Sequence, residues 1–490
     1  MNKNRRSFLR SSLFLGTGLV AAKTVSAQHE GHAMPQPQAP KKGAPAQPQA
    51  PAKVDRPPAP VGNVPVITPD VPKLPWTMEN GVKVFRLTAE VIKREILPSN
   101  PMIGPKVLDL WGFNGSVPGP TIEVNEGDRV RFIFQNKLPE DTTIHWHGLE
   151  VPVNMDGVPF ISQPPVKPGE TFIYEFTLHQ NGTFFYHSHG AMQEMMGMLG
   201  FFIIHPKKPY SPPVHKDFCI ALQEFAALPN NNIPNSMAME FNWLTMNGKA
   251  GPATTPMIVK LGERVRIRLI NIGMDHHPIH IHGQQFYVTG TEGGRIPESA
   301  WFPGNTVIVG VAQSRDIEFD AIFPGDWMIH CHLPHHMMNN MVSMVGPMAH
   351  AGHGMQTGAS LEAGMGIVEG EHALSKELGP AFGRGMGMAE REKATSNSVG
   401  QHQMPSDPQM EAKKRVPGYP QDEMMMMMVM DESVAKPETN GLAPGWSSAF
   451  QGMMSMVRVL PPDQYEKLMA DIREGRVEKP KTQQEHKHGE

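Results

Sequence analysis

The chain has 490 residues, of which 39 % are hydrophobic and 19 % charged, and its formal net charge is −4. That near balance excludes a polyanion-binding surface as the organising feature, so no nucleic-acid partner is expected. Two cysteines are too few for a disulfide scaffold, whereas 47 glycines, 48 prolines and 36 methionines suit short strands, turns and low-complexity segments.

Residues 1–27 read as an export leader. A twin arginine in "NRRSFLR" precedes the short apolar run "SSLFLGTGLVAA" and the small-residue stop "VSA". Twin-arginine export of a folded protein, to the periplasm or outside the cell, is the expectation. No later stretch is apolar for long enough to span a bilayer. Residues 28–75 form a Pro/Ala/Gln-rich linker, expected to be disordered because it has too little apolar content to bury. Residues 76–207 and 208–348 are expected to be two domains. Residues 349–445 are a low-complexity Met/His/Gly-rich tail. Residues 446–490 hold a short docked segment and a charged terminus. Within that last stretch "MVRVL" has strand character, and Tyr465, Leu468, Met469 and Ile472 make a helical stripe.

The two central domains repeat each other. "NGSVPGPTIEVNEGDRVRFIFQN" leads to "HWHG" at 145–148, and "NGKAGPATTPMIVKLGERVRIRLIN" leads to "HIHG" at 280–283. The step from Gly127 to His145 equals that from Gly262 to His280. Later, "NGTFFYHSH" matches "PGDWMIHCH". Between the turns the apolar period is two: Val130, Phe132 and Phe134 in the first copy, Val265, Ile267 and Leu269 in the second. An all-β chain of two tandem Greek-key sandwiches follows.

Four His-x-His units fall at matching places in the two copies: His145/His147, His187/His189, His280/His282 and His330/His332. Strand residues i and i+2 share a face, so each unit can aim two imidazoles at one place. Eight such groups suit a polynuclear site of copper or zinc. Cys331 decides between them. No second cysteine lies near it, which argues against structural zinc, and Cys331, His336 and Met341 stand at the spacing of a blue-copper thiolate, imidazole and weak axial thioether. Cys219, inside the apolar run "DFCIAL", reads as a small buried thiol.

The motifs "HWHG", "HSH", "HPIHIHG" and "HCHLPHHMMNNM" closely resemble the four copper motifs of the multicopper oxidases. The resemblance covers about 76–348 and implies two cupredoxin-like domains and four coppers per active unit. It implies that His277, Cys331 and His336 hold a type 1 copper with Met341 axial. It implies that His145 and His280 hold the type 2 copper, and that His147, His187, His189, His282, His330 and His332 hold a type 3 pair. Asp156, in "VNMDGVP", matches the acid that supplies protons near the cluster; as a residue before Gly157 it also reads as a turn former. Cys331 and Asp156 are thus the candidate catalytic residues.

The implied activity is oxidation of a small reductant (Cu(I), Fe(II), Mn(II) or a phenol) coupled to four-electron reduction of O2 to water. The chain also departs from the family pattern. It has no room for a third sandwich, "HSHGAMQEMMG" lacks a cysteine, and Met337 stands where many bacterial members carry an acid. His276 and His335, each beside a ligand, read as surface or supporting residues. A two-domain copper nitrite reductase is an alternative, but it would leave most of the His-x-His units unused. A copper-sequestering protein is another; it would explain "EMMMMMVM" at 423–430 but not paired histidines in register. That methionine run suits Cu(I) capture or a plain spacer. Because each copy carries half of the eight histidines and the link near 206–216 is short and Pro-rich, a closed ring of chains is expected, and the resemblance to two-domain members implies a homotrimer with interchain trinuclear sites.

Overall fold

The structure, a computed structural model, describes residues 54–99, 105–227, 231–239, 241–337 and 429–480. The leader, most of the Pro-rich linker, Met341 and the methionine run at 424–428 lie outside the described residues.

Alternating apolar residues build two sandwiches. In the first, Val82–Leu97 and Arg129–Asn136 run parallel in the middle of one sheet, and Thr171–Thr177 forms its edge beside Arg129–Asn136. The facing sheet runs in the order Gly119–Asn125, Leu199–His205, Gly182–Ser188, Ile144–His147. Phe85, Phe132, Trp146, Phe176 and Phe202 fill the space between them. At Gly127 and Gly262 the backbone takes the same left-handed value, φ +91°, which accounts for a glycine at this turn in both copies.

The second sandwich has the same plan. One sheet is centred on Lys216–Phe225, Arg264–Asn271 and Gln313–Asp320. The other runs Met257–Lys260, Met454–Leu460, Gly325–Cys331, His277–Ile281, Thr306–Val309. This sandwich therefore takes a strand from well beyond residue 348. Met454–Leu460 enters between two strands that would otherwise be edges, parallel to one and antiparallel to the other. The helix Pro462–Glu474 then packs Tyr465 and Leu468 on Ile258 and Leu460, and Gly475 caps it at φ +64°.

The sandwiches meet over Phe185, Phe201, Ile203, Cys219 and Ile270. Both Cys219 and Cys331 are buried free thiols. Beside this patch the fully buried Arg268 donates two bonds to Asp217 (both 2.8 Å) and one to Thr183 (2.7 Å), which donates to Asp316 (2.6 Å). Thr183 precedes His187 on its strand, so this network joins the first sandwich to the second. Tyr210, in the link, lies over the guanidinium groups of Arg266 and Arg295 (5.0 and 4.8 Å) and donates to Asn181. Among the described residues, no helix is long and apolar enough to cross a membrane.

Glu318 sits below these guanidinium groups. Burial pushes its carboxyl up, but Arg266, Arg295 and Arg264 overcome that and hold it at about 2. A depressed folded value means stability that is present above the ordinary value of 4.5 and lost as pH falls towards 2. Denaturant unfolding followed between pH 5 and 2 is expected to show the parent losing about 3 kcal/mol more than Glu318→Gln, which lacks the titrating carboxyl. Equal slopes would mean that Glu318 carries no such linkage.

Candidate metal centre

Each His-x-His unit lies on a strand or at its end, with its middle residue facing the core. Trp146 packs at 4.4 Å on Phe132, while His145 and His147 flank it on the other face. Ser188, Ile281 and Cys331 occupy the same middle position and are likewise buried. Strand pairing sets the units side by side, with His145 opposite His187 and His280 opposite His330. The result is a quartet in each sandwich. His145 touches the rings of His147, His187 and His189 at 5.3–5.6 Å, and His280 touches those of His282, His330 and His332 at 4.9–5.6 Å.

Local hydrogen bonds fix which ring nitrogen is free. Nδ1 of His145, His187, His280 and His330 donates to the carbonyls of Asp156, Ser188, Asn305 and Cys331, at 2.7–2.8 Å. Their Nε2 lone pairs are left for a ligand. Nδ1 of His147 lies 3.2 Å from Nε2 of His187, and Nε2 of His282 lies 3.0 Å from that of His330. Bonds of roughly 2.0 Å to one metal ion place neighbouring ligand atoms about 3 Å apart, which is this spacing. Burial, then His187 and His145, lowers His147 to about 4, so its ring is a neutral donor at ordinary pH.

The third donor set is deeper. His277, Cys331 and His336 are all buried, with Cys331 Sγ 3.7 Å from His277 Nδ1 and 3.3 Å from His336 Nδ1, and those two nitrogens 3.1 Å apart. Three donors converging this closely fit a single metal ion. Burial holds the Cys331 thiol up at about 12 and, with His277, lowers His336 to about 4. The His336 imidazole is thus ready to bind, whereas the thiol must lose its proton to do so.

The sandwiches do not bring the two quartets together. Among the described residues, every ring contact of the eight imidazoles stays within its own sandwich. His189, His282 and His332 are exposed. Asp156 lies beside the first quartet, its carboxylate 3.4 Å from His145 Nδ1. Its neighbour Gly157 is at φ +84°, and a Cβ there would meet the Ile144 carbonyl at 1.8 Å. His276 is exposed and accepts from the Val311 amide (3.1 Å); His335 is exposed as well.

Sequence reasoning missed Glu224. Its carboxylate is fully buried, 3.3 Å from His277 Nε2, and accepts from the amides of Met274 and Asp275. An acid inside the apolar strand "CIALQEF" was the available signal, because a carboxylate is buried only where donors meet it.

Two sandwiches carrying two imidazole quartets and a buried Cys–His–His set define a β-protein whose histidine and cysteine donors are grouped as they would be to hold metal ions. The multicopper oxidase family models match residues 100–209 and 226–347, and the chain belongs to that family. It is 40 % identical over 113 residues to Copper resistance protein A of Escherichia coli, covering 23 % of this chain and 19 % of that protein. It is 30 % identical over 250 residues to a probable nitrite reductase-hydroxylamine oxidoreductase fusion protein of Kuenenia stuttgartiensis, covering 48 % and 28 %. The solved Blue Copper Oxidase from Nitrosomonas europaea is 32 % identical, with 52 % of this chain and 81 % of that one covered and a TM-score of 0.47. The chain spans about a fifth of the length of the first curated relatives it matches.

Multicopper oxidases bind copper, and the donor set fits that metal: soft thiolate with imidazoles in the buried set, imidazoles alone in the quartets. Glu224 then places a buried negative charge on the ring of His277. Such a charge favours Cu(II) over Cu(I). Glu224→Gln is therefore expected to raise the Cu(I) to Cu(II) ratio at fixed potential on the order of tenfold. Redox titration of the copper-loaded protein checks this, and an unchanged or lowered ratio would contradict it.

Proposed function

We propose that the chain is a laccase-like oxidase that takes single electrons from a small reductant, a phenol or a metal ion such as Cu(I), Fe(II) or Mn(II), and passes them to O2. The observation that carries the reading is the run His330–Cys331–His332. Its cysteine faces the buried three-donor set while both neighbours belong to the second quartet. Two adjacent residues thus link the electron-accepting set to the imidazoles. In this reading His277, Cys331 and His336 hold type 1 copper, with the axial position considered below. His145 and His280 hold type 2 copper, and the other six imidazoles hold the type 3 pair. The four coppers supply one-electron transfer and the reduction of oxygen.

The chain's own groups do the remaining work. The carbonyls behind His145, His187, His280 and His330 hold each proton on Nδ1 and keep Nε2 aimed at the metal. The Asp156 carboxylate, partly exposed beside His145, is placed to carry protons from solvent to the cluster. Separate quartets with exposed rings support the homotrimer, in which one chain's first sandwich faces its neighbour's second. The leader supports export to the periplasm or outside the cell.

Two measurements on copper-loaded protein test the reading: copper per chain, and gas uptake with each reductant. Four coppers and oxygen uptake without hydrogen peroxide are expected. The relative from Kuenenia stuttgartiensis, a probable nitrite reductase-hydroxylamine oxidoreductase fusion protein, keeps nitrite in view as the acceptor. Two coppers with turnover on nitrite, or variable copper with no turnover, would overturn the oxidase.

A further inference from the structure

The two sandwiches share a pattern of main-chain bonds around the buried donor set, and that pattern bears on one ligand. In the first sandwich the Ser188 amide donates to the Met198 carbonyl (3.0 Å), and the Met198 amide approaches the Gln193 carbonyl (3.4 Å). In the second sandwich the Cys331 amide donates to the Met453 carbonyl (3.1 Å), and the Met453 amide donates to the His336 carbonyl (3.0 Å). Gln193 stands five residues after Ser188, as His336 does after Cys331. Met198 stands ten after Ser188. Counting ten from Cys331 gives Met341, which lies outside the described residues. The main-chain bonds give Met453 instead, because the chain passes through 338–428 before it supplies the equivalent strand.

The side chain of Met453 is on the correct face. Met453 is fully buried in the same cluster as Cys331 and Ile279. Met454, the next residue, turns the other way: its sulfur accepts from the Gln451 amide (3.3 Å) and it packs with Phe450 and Met456. The main-chain bonds hold Met453 beside both Cys331 and His336, and a methionine with three rotatable bonds is suited to a weak, adaptable contact there.

We infer that Met453, and not Met341, supplies the axial thioether over His277, Cys331 and His336. This rests on the type 1 reading above, whose own signature, the intense blue band of the parent protein, is recorded first. If the parent is not blue, the type 1 reading fails along with this inference; if it is blue, the variants test Met453 alone. Losing a weak axial donor disfavours Cu(II), so Met453→Leu is expected to stay blue while its Cu(I) to Cu(II) ratio at fixed potential rises at least tenfold, which is 59 mV for one electron. Met453→Gln puts a harder oxygen donor in place and is expected to move the ratio the opposite way, a reversal that loosened packing would not produce. Met454→Leu and Met341→Leu are expected to stay within about threefold of the parent, roughly half of a tenfold step on that logarithmic scale. A tenfold shift in Met341→Leu, or parent-like ratios in both Met453 variants, overturns the assignment. If neither Met453 variant folds, the Met341→Leu ratio decides.

Discussion

Cys331→Ser is expected to yield a folded protein that has lost its blue colour and its oxygen uptake. The side chain is fully buried among Ile279, Ile281, Ile329 and Val457, so the hydroxyl meets an apolar wall on one side. The cost of an incompletely satisfied buried hydroxyl is about 1–3 kcal/mol, which two extensive cores can bear. The chemical loss is larger. A serine oxygen stays protonated and is a hard donor, whereas the site needs a soft thiolate to hold the metal with two imidazoles and to begin the path to His330 and His332. Circular dichroism should match the parent while the visible band and turnover vanish. His335→Ala, at an exposed position one residue from a ligand, is expected to keep both. A Cys331→Ser protein that stays blue and active would remove the basis for the type 1 assignment.

Local rules made much of this legible in the chain. A period of two places His145 and His147 on one face and drives Trp146 into the core, and the same rule buries Cys331 while turning His330 and His332 the other way. The internal repeat carried the sandwich plan from one half to the other. What escaped depends on residues far apart in the chain. Counting along the sequence finds Met341, which lies outside the described residues; the pairing of Met454–Leu460 with the Cys331 strand, reached from beyond the long segment, is what spacing cannot register. An acid in an apolar strand marks Glu224 as unusual, but its partner His277 lies 53 residues away and is identified only by the folded contact. The Arg268–Asp217–Thr183 network likewise joins residues from three separated strands, so no local pattern announces it.

The separation of the quartets leads to the largest effect on assembly. Neither quartet has enough imidazoles for three coppers, and in one chain they make no ring contact. The interface between the sandwiches is fixed by Arg268, Thr183 and the apolar patch around Phe201, so swinging one domain onto the other would expose a buried charge network. Breaking such a network costs about 3–5 kcal/mol, which makes this route to a complete cluster costly. A second chain provides the missing half without that rearrangement, and a head-to-tail contact repeated by rotation closes into a ring. Complementation tests this directly. His147→Ala spoils the first quartet and His282→Ala the second, so each variant alone is expected to have no oxidase activity. Co-expressed in equal amounts, a ring has intact clusters wherever a His282→Ala chain offers its first sandwich to the second sandwich of a His147→Ala neighbour. Random mixing makes that about one contact in four, so about a quarter of parent activity should return, in a species that sediments as three chains. Activity that stays at zero in mixed rings, or a parent monomer with complete clusters and full turnover, would place both quartets of each cluster on a single chain.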